Sequence, residues 1–260
     1  MINVPAKQRQ RQRLTQIRLM VPMERRFART LEPTIGRMWS IAANQVANGN
    51  VKGIGAAVRS QSKRFRTLLS NHLRRVAAVF QAQTQRAINR ATKASGDEFW
   101  TDIDSWVQSH VTTVEKAFTA GQVKTIEAIV LGGIEAGEAH AEIAKKIATK
   151  GIRDKKWKAL RIARTETHNA AIKSTETQMQ QSRLVVSKRW VAALDARTRS
   201  DHLAGNMHPL VEQGKLFRIG TDNLEYPGDG SHGAGAHQIV NCRCVLMYET
   251  SRKRGRLVRR

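Results

Sequence analysis

The chain is 260 residues long, 40% apolar and only 5% aromatic, and its 45 Lys and Arg against 21 Asp and Glu give a net charge of +24. No apolar run reaches the ~20 residues of a bilayer span, and the basic N-terminus lacks the apolar core of a secretory signal. A charge of this size attracts polyanions, nucleic acid first among them.

In chain order, residues 1–55 read as a basic, partly disordered arm. Residues 1–13 show no apolar periodicity, Pro22 and Pro33 interrupt a weak helical pattern, and "NGNVKGIG" (48–55) is a loop. From Ala56 to about residue 94, Phe65, Leu68, Leu69, His72, Leu73, Val76, Val79, Phe80 and Ala87 recur at helical steps. Ser95 or Asp97 caps a second helix over 97–130, with Phe99, Ile103, Trp106, His110, Val114, Phe118 and Gly121 as its apolar stripe. The two helices predict an antiparallel hairpin within 56–131, with His110 as a packed core residue. "LGGIEAG" (131–137) marks a boundary, and a second domain follows over 132–250. It starts with a short helix and a longer one from Asp154 to Ser182. "RLVVSKRWVAAL" (183–194) then reads as a strand, 195–238 as a long Gly- and His-rich loop, and "HQIVNCRCVLMYE" (237–249) as a closing strand; residues 251–260 form a basic tail. The expected class is α+β: a mainly helical N-terminal region and a small α+β C-terminal domain.

The charge is uneven. Residues 1–96 hold nineteen Lys and Arg and two Asp and Glu, while 97–150 hold five against nine. Aromatics are sparse in 1–96 (Phe27, Trp39, Phe65, Phe80), which disfavours base stacking and favours sequence-independent contact with phosphate. The candidate DNA contacts are Arg9, Arg11, Arg13, Lys63, Arg64, Arg66, Arg74, Arg75, Arg86 and Arg90.

Reactive side chains concentrate in 195–244, which holds four of the eight histidines and both cysteines. Cys242 and Cys244, two apart on a strand, point to the same side and permit joint ligation of zinc with His202 and His237. Two small apolar residues filling a strand face is the competing reading. A disulfide over so short a loop is strained. "DARTRSDH" (195–202) offers His202 as a general base beside Asp195 or Asp201, with Arg197 or Arg199 for an anion; this is the hydrolase or nuclease alternative. The competing reading is a polar turn tied by Asp–Arg pairs. In "ARTETH" (163–168), Arg164 and Glu166 are either catalytic or a pair that docks a helix.

"RIARTETHNAA" (161–171), "KRWVAALDARTRSDHLAG" (188–205), "EYPGDG" (225–230) and "VNCRC" (240–244) together resemble the phage Mu F-like family of minor head, or head morphogenesis, proteins. The resemblance covers about residues 135–248. It implies a non-enzymatic protein internal to the head of a tailed phage, made in the host cytoplasm and retained in the virion. Its implied partners are the double-stranded phage genome and the portal, scaffold and major capsid proteins, with no membrane, and its implied roles are procapsid assembly and DNA packaging or delivery. It carries over Arg164, Thr165, Glu166, Trp190, Asp195, Arg197, Arg199, His202, Gly205, Pro227, Asn241, Cys242 and Cys244 as motif positions without a catalytic role, and no established cofactor.

Overall fold

The computed structural model describes residues 5–88, 96–182, 184, 186–250, 252–253 and 256–257. Arg90, Ser95 and most of the 251–260 tail lie outside them. Five helices come first: α1 (Ala6–Ala47), α2 (Ile54–Arg59), α3 (Ser62–Ile88), α4 (Gly96–Glu135) and α5 (His140–Gln181). Then follow β1 (Val186–Val191), α6 (Ser200–Gly205), β2 (Val211–Glu212), β3 (Phe217–Ile219), β4 (Asp222–Leu224), α7 (Ala236–Ile239), β5 (Val245–Thr250), β6 (Arg252–Lys253) and β7 (Arg256–Leu257). The class is α+β, as expected.

The chain divides into two compact units, but not in sequence order. One gathers Met1–Met23, Leu73–Asp104 and Arg164–Arg260; the other gathers Glu24–His72 and Ser105–Ala163. Helices α1, α3, α4 and α5 each contribute to both, and the turn at 136–139 that marks the expected boundary lies inside the second unit.

In the second unit, Phe27, Leu31, Ile35, Met38 and Trp39 of α1 are buried, as are Phe65 and Leu69 of α3 and Ile143 and Ile147 of α5. These spacings explain why α1 is one helix where an arm is expected. Residues 27, 31, 35, 38, 42 and 46 form a continuous buried stripe, and such packing outweighs the ~3 kcal/mol penalty of an interior proline. Gly151 explains why α5 is one helix rather than two. A Cβ there would lie 2.4 Å from the Trp39 Cβ, so the glycine allows close approach to the indole instead of ending a helix.

The hairpin of α3 and α4 is present, shortened by a break after Arg59. Its antiparallel pairs are Arg66 with Glu115 (3.2 Å) and Phe65 with Phe118 in the second unit, and Arg74 with Asp104 (2.7 Å) in the first. The buried stripe of α4 differs from the expected one. It runs through Phe99, Ile103, Val107, Val111, Glu115, Thr119, Gln122, Ile126 and Val130. Its middle is polar, which hides it from a hydrophobicity reading. Glu115 accepts from Ser62, Thr119 and Arg66; burial pushes its carboxyl up, but these bonds prevail and hold it low. Gln122 accepts from Trp39 Nε1 at 3.1 Å and from Lys158 Nζ at 2.8 Å. His110 is only half-buried and stacks on Trp106, so it is not the packed core residue expected.

In the first unit, β1 is the centre of a three-stranded antiparallel sheet ordered β2-β1-β5, with Trp190 opposite Leu246 and Val186 opposite Thr250. Hairpins β3-β4 and β6-β7 make two further pairs. The closing strand is shorter than expected. Helix α7 occupies 236–239, and Asn241 has φ +56°, a left-handed conformation that Asn tolerates better than most residues. The strand therefore starts only at Val245, and both cysteines precede it.

Candidate metal centre

The loop 240–244 is held from four directions. The Asn241 amide donates to Thr165 Oγ1 at 3.1 Å, and His168 Nε2 lies 2.6 Å from the Cys244 carbonyl. Thr165 and His168 stand three residues apart on α5 and so share a face. Arg199 donates to the Val240 carbonyl at 2.6 Å, and Arg13 of α1 to the Arg243 carbonyl at 3.3 Å. Burial holds Arg13 and His168 below their usual pKa values.

These contacts place both cysteines against His202 of α6. His202 Nδ1 is 3.3 Å from Cys244 Sγ and 3.6 Å from Cys242 Sγ. All three ligand atoms lie within 4.8 Å of one another, and the group could hold a metal ion. It is 1%, 1% and 4% exposed at His202, Cys244 and Cys242, so no substrate reaches it from solvent in this conformation. The Cys244 thiol is drawn well down by the hydrogen bond that Cys242 donates; Cys242 is pushed far up by the same bond and by burial. Trp190 stacks edge-on against both His202 and Phe217, and Gly205 leaves room for Trp190 and Ile219.

His237 is not part of the group. It is exposed and pairs with Asp222 at 3.1 Å, because α7 directs its side chain outward. Nor does the hydrolase constellation assemble. Asp195 pairs with Arg243 through both oxygens, which holds its carboxyl far below the usual range; its Oδ1 also accepts from the Arg197 amide and Thr198. Asp201 reaches His202 only through Gln238, Arg199 is engaged with Val240, and Arg197 is exposed. Arg164 is exposed, while Glu166 is buried.

"EYPGDG" closes over the same face of α5. Buried Asp229 accepts from the amides of Glu225 and Ser231, which folds the loop on itself. Gly228 has φ +92°, and a Cβ there would lie 2.4 Å from the Asn169 amide and 2.9 Å from His168 Nδ1. The Asn169 amide, oriented to donate, reaches the Gly228 carbonyl at 3.2 Å and the Thr165 carbonyl at 3.3 Å. Gly228→Ala is therefore expected to cost about 1–3 kcal/mol, read as a lower urea midpoint. An unchanged midpoint would mean that the loop is not clamped there.

The candidate DNA contacts divide. Arg11, Lys63, Arg64, Arg75 and Arg86 are exposed, and Arg9 is half-buried. Arg66 and Arg74 are tied to Glu115 and Asp104. Arg13 is buried on the Arg243 carbonyl and is corrected to a structural residue, because its helix position is in phase with Met20 and Phe27. Arg90 lies outside the described residues.

Sequence reading missed a second buried polar group. Glu176 accepts from Tyr248 and from Gln180 (2.9 Å), and Lys188 donates to the Glu225 carbonyl at 2.7 Å. Both Glu176 and Lys188 are fully buried. Strand alternation carries the signal for Lys188, which is in phase with Val186 and Trp190.

Residues 124–247 match the family model described as "Phage Mu protein F like protein". The resemblance expected over 135–248 holds, and the match begins earlier, within α4. Minor head protein GP7 of Bacillus phage SPP1 is 31% identical over 143 residues, covering 52% of this chain and 44% of that protein. The chain thus aligns with less than half the length of this curated relative. No solved structure matches it.

Proposed function

We propose that this protein is a minor head protein of a tailed phage, internal to the head, acting in procapsid assembly and in DNA packaging or delivery. The match of residues 124–247 to the phage Mu F-like model carries the reading. The +24 charge and the exposed cations on α1 and α3 support a place beside packaged double-stranded DNA. Portal, scaffold and major capsid proteins are the partners this reading implies, and its role is structural rather than catalytic.

Quantitative mass spectrometry of procapsids and mature particles tests it. The expected result is a low, fixed copy number in both. Presence in procapsids alone would make the protein an assembly factor that leaves. Absence from both, with abundant free protein, would overturn the proposal.

A further inference from the structure

We infer that Cys242, Cys244 and His202 form a zinc site that ties the loop ahead of β5 to α6. The inference is independent of the head-protein reading.

Geometry is the first argument. Zinc bonds of ~2.3 Å to sulfur and ~2.0 Å to nitrogen, meeting at a tetrahedral angle, put a sulfur and a nitrogen about 3.5 Å apart and two sulfurs about 3.8 Å apart. The two sulfur–nitrogen separations are 3.3 and 3.6 Å. All three donors lie within 4.8 Å of one another, so closing them around an ion asks only for a small adjustment. The fourth position falls to a water molecule enclosed with the ion, since three protein donors leave one place of a tetrahedral zinc site to water.

The second argument is the histidine tautomer. Gln238 Nε2 lies 3.1 Å from Asp201 Oδ2 and 3.4 Å from the Ile219 carbonyl. Both are acceptors only, so the amide nitrogen must face them and Oε1 must face His202. Oε1 is 2.8 Å from His202 Nε2, which therefore carries the proton and donates. In the neutral ring Nδ1 is then the bare nitrogen, and it faces the two sulfurs. A carboxylate, an amide and an imidazole in series is the outer support that fixes a ligating histidine and raises its basicity.

The donor set selects the metal. Two thiolates and one imidazole suit zinc and exclude magnesium and calcium, which take oxygen ligands. Burial favours binding further, because a divalent cation neutralises two thiolates that are costly alone in an apolar setting. The ion would join α6 to a loop already tied to α1 and α5, so its binding energy stabilises this unit.

Full-length protein purified without chelator is expected to carry about one zinc ion per chain by elemental mass spectrometry. Cobalt(II) added to metal-free protein is expected to give the absorption bands of thiolate-bound tetrahedral cobalt. Cys244→Ser and His202→Asn should each lose stoichiometric zinc. Gln238→Leu keeps all three ligands and should weaken zinc about 10–100-fold in chelator competition. The cobalt titration uses the unaltered chain, so a variant that fails to fold leaves the test intact. Substoichiometric zinc together with no cobalt bands would overturn the site, leaving two buried thiols. A Cys242–Cys244 disulfide in protein purified under reducing conditions would overturn it as well.

Discussion

Full-length protein is expected to bind duplex DNA of any sequence and to lose about 10³–10⁵ in affinity between about 50 and 200 mM salt. Arg11, Arg18, Arg25, Arg26, Arg29 and Arg37 are exposed on α1, as are Lys63, Arg64, Arg75 and Arg86 on α3. Engaging six to ten phosphates through such cations releases that many counterions, which sets the slope. Arg66 and Arg74 contribute less, because Glu115 and Asp104 already oppose them. Charge reversal at Arg11, Lys63, Arg64, Arg75 and Arg86 should flatten the slope by roughly 0.9 for each lost phosphate contact. Arg13→Gln should leave the slope unchanged and lower stability instead, since Arg13 is buried on the Arg243 carbonyl. Substitution is the right tool here. Deleting residues 1–96 would strip α1 and α3 from both units, so weaker binding would not separate lost contacts from lost fold. Affinity that ignores salt, or survives the five reversals, would refute binding through these helices.

Much of this architecture is legible in the residues, and the failures have physical causes. Apolar spacing places α3 and the start of α4, because there the stripe is mainly apolar, with His72 and Thr84 the buried polar members on α3. It leaves the α4 stripe at Trp106 and His110, one position short of buried Val107 and Val111, and beyond them Glu115, Thr119 and Gln122 are buried polar groups that no hydrophobicity pattern marks. Pro22 and Pro33 read as breaks because local propensity disfavours helix there, yet tertiary packing overrides it. The cysteines and His202 are legible by residue type alone. His237 fails because type and proximity in sequence say nothing of where a four-residue helix points its side chain. His168 and Thr165 act on the loop through hydrogen bonds spanning 76 positions, and Gln238 acts on His202 across 36; only the fold makes those partners visible.

Lys188→Met is expected to cost about 1–3 kcal/mol at about pH 8, because the Glu225 carbonyl loses its donor and buried Glu176 loses a nearby positive charge. Burial pushes the Glu176 carboxyl up, against the pull of Lys188 and the hydrogen bonds from Tyr248 and Gln180. Burial also pushes the Lys188 ammonium down, against Glu176, Glu225 and Asp229. Removing Lys188 leaves burial less opposed and raises Glu176 further. A carboxyl raised on folding contributes stability that is fully present below its unfolded value and is lost as the pH rises through its folded value. The deficit of Lys188→Met should therefore grow with pH. It should shrink at about pH 4, where Glu176 is largely protonated folded and unfolded alike. A pH-independent share remains, because the Glu225 carbonyl loses its donor in either case. Glu176→Gln keeps an acceptor for Tyr248 and removes the charge. The double variant Glu176→Gln, Lys188→Met should then be more stable than the sum of the single losses predicts, by about 1–3 kcal/mol. Urea unfolding of the four proteins at both pH values reads all of this. Additive losses, or a deficit that does not change with pH, would show that the two charges do not act on each other in the folded chain.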